Sequence, residues 1–133
     1  MRILFLDDME ERHHAFRKHV DSTGVECTYV FNAEDAIKAL DGERFDVAFL
    51  DHDLGERDYQ LFIHGIDHSF VGSGMDVVDH IILMSVENRP RQVVVHTWNS
   101  RRGHEMMLRL WDAGVHVLRI PFDPQALPKL PKL

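Results

Sequence analysis

Three acidic residues follow two short apolar segments of this chain. Asp7 and Asp8 come directly after residues 2–6, and Asp51 comes directly after residues 45–50. Carboxylates that lie close together repel one another, so a bound cation stabilises such a group. Oxygen-rich sets of this kind suit Mg²⁺, Mn²⁺ or Ca²⁺, and Mg²⁺ is usually bound together with a phosphate. The three acids therefore predict a divalent-metal site beside a phosphate, with Mg²⁺ the favoured ion.

These acids also have a purely structural interpretation. Asp8 can cap the helix that follows it, and Asp51 can organise a turn. The metal hypothesis has the advantage that it accounts for both segment ends together.

The residues that follow Asp51 carry more polar groups than a turn requires. His52 can transfer a proton near the phosphate, and Asp53 can add a ligand to the metal.

A further apolar segment, residues 92–95, is followed by His96, Thr97 and Asn99. Thr97 or Asn99 can donate a hydrogen bond to a phosphoryl oxygen, and His96 can protonate a leaving oxygen. A second imidazole also admits a softer metal such as Mn²⁺, Fe²⁺ or Zn²⁺. The alternative for His96 is a hydrogen-bonded position in the core.

Three arginines are close in sequence to these polar segments. Arg101 and Arg102 open a predicted helix after Asn99, where a guanidinium group can bind phosphate in a bidentate manner. Arg12 follows Asp8 by one helical turn, so it either pairs with that acid or reaches the pocket. The alternative for Arg101 and Arg102 is a solvated surface position.

Short apolar strands alternate with helices along the chain. Predicted strands cover residues 2–6, 25–31, 45–50, 92–95 and 115–120, and predicted helices cover residues 9–21, 33–40, 75–88 and 101–113. This alternation indicates a parallel sheet with helices on both faces. Such sheets bind ligands beyond the carboxyl ends of their strands, which is where the polar residues described above fall.

The composition is that of one globular domain of 133 residues with a net charge of −7, which argues against broad binding to duplex DNA. The single cysteine, Cys27, fits a reducing compartment. The sequence has neither a secretory signal pattern nor an apolar run long enough to span a membrane. These features predict a cytoplasmic protein whose partner is a phosphate-containing small molecule or an RNA end.

The C-terminal end departs from the alternating pattern. Residues 121–133 contain four of the five prolines, so they cannot form a long final helix. We expect residues 1–122 to form the domain, with an extended loop at residues 51–74, and residues 123–133 to form an extended Pro-rich tail. The missing helix leaves apolar surface over the first and fifth strands. The tail, a second copy of the chain in a homodimer, or both would cover it.

Residues 1–122 resemble the receiver domains of two-component response regulators. The resemblance rests on the acids after the first and third strands, the Thr after the fourth and the pair Pro121-Phe122 after the fifth. It implies a three-layer flavodoxin-like fold with a five-stranded parallel sheet in the order 2-1-3-4-5. It also implies roles for individual residues, namely Mg²⁺ binding by Asp7 and Asp8, a phosphoryl group on Asp51 and a hydroxyl contact from Thr97.

The chain also departs from the receiver pattern. Receivers carry a Lys directly before the Pro-aromatic pair, where this chain has Ile120, and Arg119 stands one residue earlier. Because side chains alternate along a strand, these two residues should face opposite ways. The loop after Asp51 is longer than in a receiver, and the final helix, a common dimerisation and output surface, is missing.

A closer resemblance is to the divergent receiver-like group named for cyclic-phosphate processing, which is found in bacteria and phages. The motifs that carry it are Leu6-Asp7-Asp8 with Arg12, Leu50-Asp51-His52-Asp53-Leu54-Gly55, Gly74-Met75-Asp76-Val77-Val78, and Val95-His96-Thr97 with Asn99 and Gly103. This resemblance implies action on phosphate ends such as the 2′,3′-cyclic phosphates of RNA.

The leading hypothesis is a metal-dependent phosphohydrolase or phosphotransferase that acts on a nucleotide or RNA-end phosphate. The candidate residues are Asp7, Asp8, Asp51 and Asp53 for the metal, Asp51, His52 and His96 for catalysis, and Thr97, Asn99, Arg101, Arg102 and Arg12 for the phosphate. One alternative is a signalling receiver that is phosphorylated on Asp51. The other is a pseudo-receiver that has no catalytic chemistry and binds a nucleotide or a partner protein.

Overall fold

Five short apolar strands form one sheet in the computed structural model, which describes residues 1–54, 72–125 and 127. The strands are β1 (Arg2–Leu6), β2 (Glu26–Val30), β3 (Val47–Leu50), β4 (Gln92–Val95) and β5 (Val117–Arg119). They are all parallel and lie in the order β2-β1-β3-β4-β5. Both β3 and β4 are buried along their whole length, which their continuous apolar runs allow. The flavodoxin-like fold and the strand order expected from the sequence are confirmed.

In the part of the chain that the structure describes, four helices cover the two faces of the sheet. They are α1 (Glu10–Val20), α2 (Ala33–Gly42), α3 (Gly74–Leu83) and α4 (Ser100–Asp112). Helix α1 packs on one face, and the other three helices pack on the opposite face. The side chain of Asn32 caps α2, because it accepts a hydrogen bond from the backbone N–H of Asp35 at the start of the helix. Among the described residues, no helix is long and apolar enough to cross a membrane.

The α1 face carries an aromatic core to which the C-terminal segment contributes. Phe5 and Phe16 stack with their ring centroids 4.2 Å apart, and Phe122 and Leu127 pack against the same cluster. Residues 120–125 adopt turns and irregular backbone and are not helical. This part of the tail therefore covers apolar surface in place of a helix. Residues 128–133 and most of the predicted loop at 51–74 lie outside the described residues, and a second copy of the chain stays a prediction.

Helix α3 ends at Leu83, before the end predicted at residue 88. Arg89 stabilises this end, because its guanidinium group binds carbonyl oxygens at the ends of two helices. It donates to the carbonyls of Ile81 at 3.0 Å, Ile82 at 2.6 Å, Met84 at 3.2 Å and Ala113 at 3.0 Å. The last carbonyls of a helix have no partner within the helix, so this contact satisfies them where the helix stops. A short 3₁₀ turn, Val86–Asn88, then leads towards β4.

We expect Arg89→Met to lower the free energy of unfolding by about 2 to 4 kcal/mol, because it removes charged donors from several half-buried carbonyls. The matched control is Arg91→Met, since Arg91 is exposed and forms an ion pair with Asp46 across the surface. That change should stay within about 0.5 kcal/mol. Urea denaturation followed by circular dichroism measures both values, and equal losses in the two variants would contradict the capping role of Arg89.

Candidate functional site

Three buried polar residues meet at the carboxyl ends of adjacent strands. Asp7 follows β1, Asp51 follows β3 and His96 follows β4, and each residue is at most 3% exposed. Their backbone N–H groups continue the parallel hydrogen bonding of the sheet, which fixes their positions. One ligand atom from each of the three side chains lies within 4.8 Å of the other two. The sheet thus brings together two carboxylates and one imidazole in a group that can hold a metal ion.

Asp7 is the most heavily hydrogen-bonded member of this group. Its Oδ1 accepts from the backbone N–H of Met9 at 2.8 Å, and its Oδ2 lies 2.9 Å from His96 Nε2 and 3.2 Å from Arg12 Nη1. Burial alone would raise the pKa of Asp7, but the hydrogen bond and charge of His96, the Met9 N–H and the charge of Arg12 outweigh it. The pKa of Asp7 therefore lies below its usual value, and this carboxylate stays ionised.

Asp51 has the opposite electrostatic balance. Burial and the negative charge of Asp7 raise its pKa, and His96, the Thr97 hydroxyl and Arg12 offset only part of that rise. Its Oδ1 accepts from the backbone N–H of the next residue at 2.9 Å. Asp51 is therefore the acid in this group whose ionisation needs additional positive charge nearby.

Arg12 lies between the two carboxylates. Its Nη1 is 3.2 Å from Asp7 Oδ2 and 3.8 Å from Asp51 Oδ2, and its guanidinium carbon lies 5.4 Å from the centroid of the Phe122 ring. One guanidinium group does not neutralise two buried carboxylates, as the raised pKa of Asp51 indicates. The donor set therefore fits a divalent cation. Carboxylates suit Mg²⁺, and the imidazole of His96 extends the range to Mn²⁺, Fe²⁺ or Zn²⁺.

A second histidine lies beside this buried group and is oriented by a carboxylate. His52 Nδ1 is 2.8 Å from Asp53 Oδ1, and Asn99 Nδ2 donates to both oxygens of Asp53 at 3.3 and 3.4 Å. Because a carboxylate only accepts hydrogen bonds, Nδ1 carries the hydrogen and Nε2 is the nitrogen left for proton transfer. The Asp53 side chain is 62% exposed, whereas the His52 side chain is 15% exposed.

The other predicted site residues do not all lie in the buried group. Thr97 is buried, and its hydroxyl lowers the pKa of Asp51 and accepts from the Asn99 N–H at 3.2 Å. Two predicted metal ligands lie outside the buried group, namely the half-buried Asp8 and the exposed Asp53. The predicted phosphate ligands Arg101 and Arg102 are exposed and pair with Glu105 along α4, at 3.7 and 2.9 Å.

His13 is a site residue that the sequence reasoning missed. Its Nε2 is 2.7 Å from the carbonyl oxygen of Asp7, and its ring stacks on Phe31 with centroids 4.0 Å apart. Its spacing from Phe16 and Val20 is the one signal available in the sequence, because the three residues form the buried stripe of α1.

Asp76 and His80 stand four residues apart on α3, but their side chains have separate partners. Asp76 accepts from the backbone N–H of Ser73 and completes the capping box of α3. His80 Nε2 instead lies 2.8 Å from Asp41 Oδ1, in the C-terminal turn of α2.

Comparisons with solved structures agree with the fold. The receiver domain of HemR from Leptospira biflexa is 18% identical, with a TM-score of 0.64, and the alignment covers 90% of this chain and 80% of that one. The Thermotoga maritima response regulator TrrA, solved with Mg²⁺-BeF, is 19% identical with a TM-score of 0.62 and coverages of 92% and 86%. A Burkholderia pseudomallei response regulator with a phosphorylated aspartic acid and a calcium ion is 18% identical, with a TM-score of 0.61 and coverages of 93% and 62%. These likenesses concern the fold alone.

Sequence comparison gives the more specific result. No curated protein is significantly similar to this chain. The family described as the Cyclic-phosphate processing Receiver domain matches residues 2–112, which is most of the chain. The protein therefore belongs to the cyclic-phosphate processing receiver domain family.

Proposed function

We propose that this protein is a metal-dependent phosphohydrolase or phosphotransferase that acts on a nucleotide or RNA-end phosphate, including 2′,3′-cyclic phosphates. The observation that carries the proposal is the pairing of a buried dicarboxylate group with a separate, carboxylate-oriented histidine beside it. A metal site that only switches a signalling domain requires no proton transfer, so it does not require the His52–Asp53 pair. A phosphoester reaction requires a group that transfers protons to and from ester oxygens, and this pair supplies one.

Asp7 and Asp51 are the residues that would hold the divalent cation, with His96 as a third donor. When bound, that cation supplies positive charge to the phosphoryl oxygens and favours the ionised form of Asp51. His96 is buried against Asp7, so its contact in the structure is with a carboxylate. Of the two candidate histidines, we therefore assign proton transfer to His52.

The reaction we propose proceeds in two balanced steps. A carboxylate oxygen of Asp51 forms a bond to phosphorus while the bond from phosphorus to the ester oxygen breaks, and Nε2 of protonated His52 gives its proton to that oxygen. A water molecule then attacks phosphorus and gives a proton to the now neutral His52 while the bond between phosphorus and Asp51 breaks, which restores both residues. The product is inorganic phosphate from a monoester, or a 2′- or 3′-phosphomonoester from a cyclic phosphate. Asp53 orients the imidazole by accepting from its Nδ1, and Asn99 holds Asp53 in place.

A signalling receiver is the second candidate. The Thr97 hydroxyl supports it, because it lowers the pKa of Asp51 and so lies near enough to contact a phosphoryl group on that carboxylate. Ile120, which stands where receivers carry a Lys, counts against it. A receiver should accept phosphate from a small-molecule phosphodonor and keep it for seconds or longer, whereas a pseudo-receiver should show neither transfer nor turnover.

A turnover screen separates these candidates. The protein is incubated with 2′,3′-cyclic nucleotides and generic phosphoesters in the presence of Mg²⁺ or Mn²⁺. We expect turnover that is lost in Asp51→Asn and falls by about 10²- to 10⁴-fold in His52→Gln, which removes the proton donor. The matched control is His104→Gln on the exposed side of α4, which should keep wild-type turnover. The absence of turnover on every ester, or full activity in Asp51→Asn, would refute the proposal.

A further inference from the structure

Arg119 ends β5 with a guanidinium group that has no partner among the described residues. Its Nε is buried and makes no hydrogen bond in that part of the chain, and the ion pairs found there do not include it. The neighbouring Ile120 packs into the aromatic core on the α1 face, whereas Arg119 lies against α4. Burial of a charged donor without a partner is unfavourable, so a partner from outside the chain would explain this placement.

Gly103 provides the space in which Arg119 lies. A Cβ atom at this position would be 2.7 Å from Arg119 Nε and 2.9 Å from Thr97 Cγ2. Both side chains therefore pack directly on the backbone of α4, where any larger residue would displace them. Glycine is less favourable than alanine inside a helix, and here it admits the guanidinium group.

The surroundings of Arg119 are electropositive. Gly103 lies in the first turn of α4, which contains Arg101 and Arg102 and no acidic residue. The other three helices begin with Asp or Glu in their first turns. Since a helix N-terminus carries partial positive charge, a cation at this end is unfavourable unless an anion is bound beside it.

The same position adjoins the candidate site. Thr97, which shares the Gly103 surface with Arg119, directly follows the site residue His96, and its hydroxyl lowers the pKa of Asp51. We propose that Arg119 binds a phosphoryl oxygen of the substrate, next to Thr97, through its planar guanidinium. The proposal rests on the function proposed above, because it places the phosphoryl group at Asp51. It also shifts the main phosphate contact away from Arg101 and Arg102, which pair with Glu105.

Binding of inorganic phosphate tests this role without any turnover. Isothermal titration calorimetry on the full chain, with and without Mg²⁺, compares the wild type with Arg119→Gln, Arg119→Lys and the surface control Arg91→Gln. We expect Arg119→Gln to weaken phosphate binding by about 10- to 100-fold, which is the range for one charge-assisted bidentate contact. The phosphate affinity of Arg119→Lys should lie between those of the wild type and Arg119→Gln, because lysine keeps the charge and loses the planar pair of donors. Arg91→Gln should bind phosphate as the wild type does.

Two further measurements exclude a merely structural role. Mn²⁺ affinity in the absence of phosphate should be unchanged in Arg119→Gln, and the melting temperature without phosphate should be equal or higher, because the buried Nε–H, which has no partner among the described residues, has been removed. Unchanged phosphate affinity in Arg119→Gln, or no measurable phosphate binding by the wild type, would overturn the proposal. If phosphate binding depends on Arg119 but no ester is turned over, the inference stands and the proposed hydrolase function falls.

Discussion

Asp51→Asn is expected to make the metal-free protein more stable at pH 7 and to abolish its stabilisation by divalent metal. In the wild type, burial and the charge of Asp7 raise the pKa of Asp51. Ionised Asp51 is therefore a source of instability at neutral pH until a cation binds. The amide has no charge and a similar shape, so we expect a gain of about 1 kcal/mol, or roughly 3 to 5 °C in melting temperature for a chain of this size.

The pH dependence of this gain has a definite sign. A carboxyl group whose pKa is raised in the folded state contributes stability below its unfolded pKa and loses that contribution as the pH rises through the folded pKa. The advantage of Asp51→Asn should therefore be largest at neutral pH and shrink as the pH falls towards the usual range of an aspartate. The lowered pKa of Asp7 has the opposite effect, because the ionised Asp7 carboxylate stabilises the folded state. The wild type and Asp51→Asn both lose this stability as the pH falls.

Differential scanning fluorimetry between pH 4 and 8, with and without Mn²⁺ or Mg²⁺, measures both effects. At a metal concentration of 100 times Kd, the wild type should gain about 2.7 kcal/mol of stability, and Asp51→Asn should gain little. Asp112→Asn, an exposed change at the end of α4, serves as the control and should behave as the wild type in both respects. A metal-free Asp51→Asn protein that is less stable at pH 7, or that still responds fully to metal, would contradict the assignment.

The sequence predicted the parts of this structure that depend on local patterns. Continuous apolar runs ending at acids predicted the strands and their common edge, and this placed Asp7, Asp51, His96 and Thr97 together. The cap of α2 by Asn32 also depends on local chemistry, since asparagine is a favoured N-cap residue. Such features can be predicted because each depends on a short segment, and the parallel sheet then brings the ends of the segments together.

The contacts that the sequence did not predict join residues far apart in the chain. Arg89 reaches across to the carbonyl of Ala113 at the end of α4, a contact that no periodicity within α3 could indicate. Arg119 stands one residue before the position of the receiver Lys, and the side-chain position depends on Gly103, which lies beneath it. The contact of His13 with the carbonyl of Asp7 likewise depends on how α1 packs against the end of β1.

Gly74→Ala is expected to cause the largest loss of stability and to disrupt the site as well. Gly74 begins α3 and lies directly against the strand end that carries the site, with its N–H donating to the carbonyl of His52 at 3.0 Å. A Cβ at this position would lie 1.9 Å from the carbonyl oxygen of Asp51 and 2.8 Å from the Cα of His52. These are backbone atoms, so no side-chain rotation relieves the clash, and either α3 or the residues after β3 must move.

We expect this movement to lower the free energy of unfolding by about 3 kcal/mol or more. It should also reduce metal affinity, because Asp51 and His52 shift with their backbone. Gly42→Ala is the matched control. A Cβ at Gly42, the last residue of α2, would meet no atom within 4 Å, so that change should be neutral or add a few tenths of a kcal/mol. Urea denaturation and Mn²⁺ titration of both variants test the prediction. Equal stabilities, or a folded Gly74→Ala protein with wild-type metal affinity, would show that α3 does not hold the site in place.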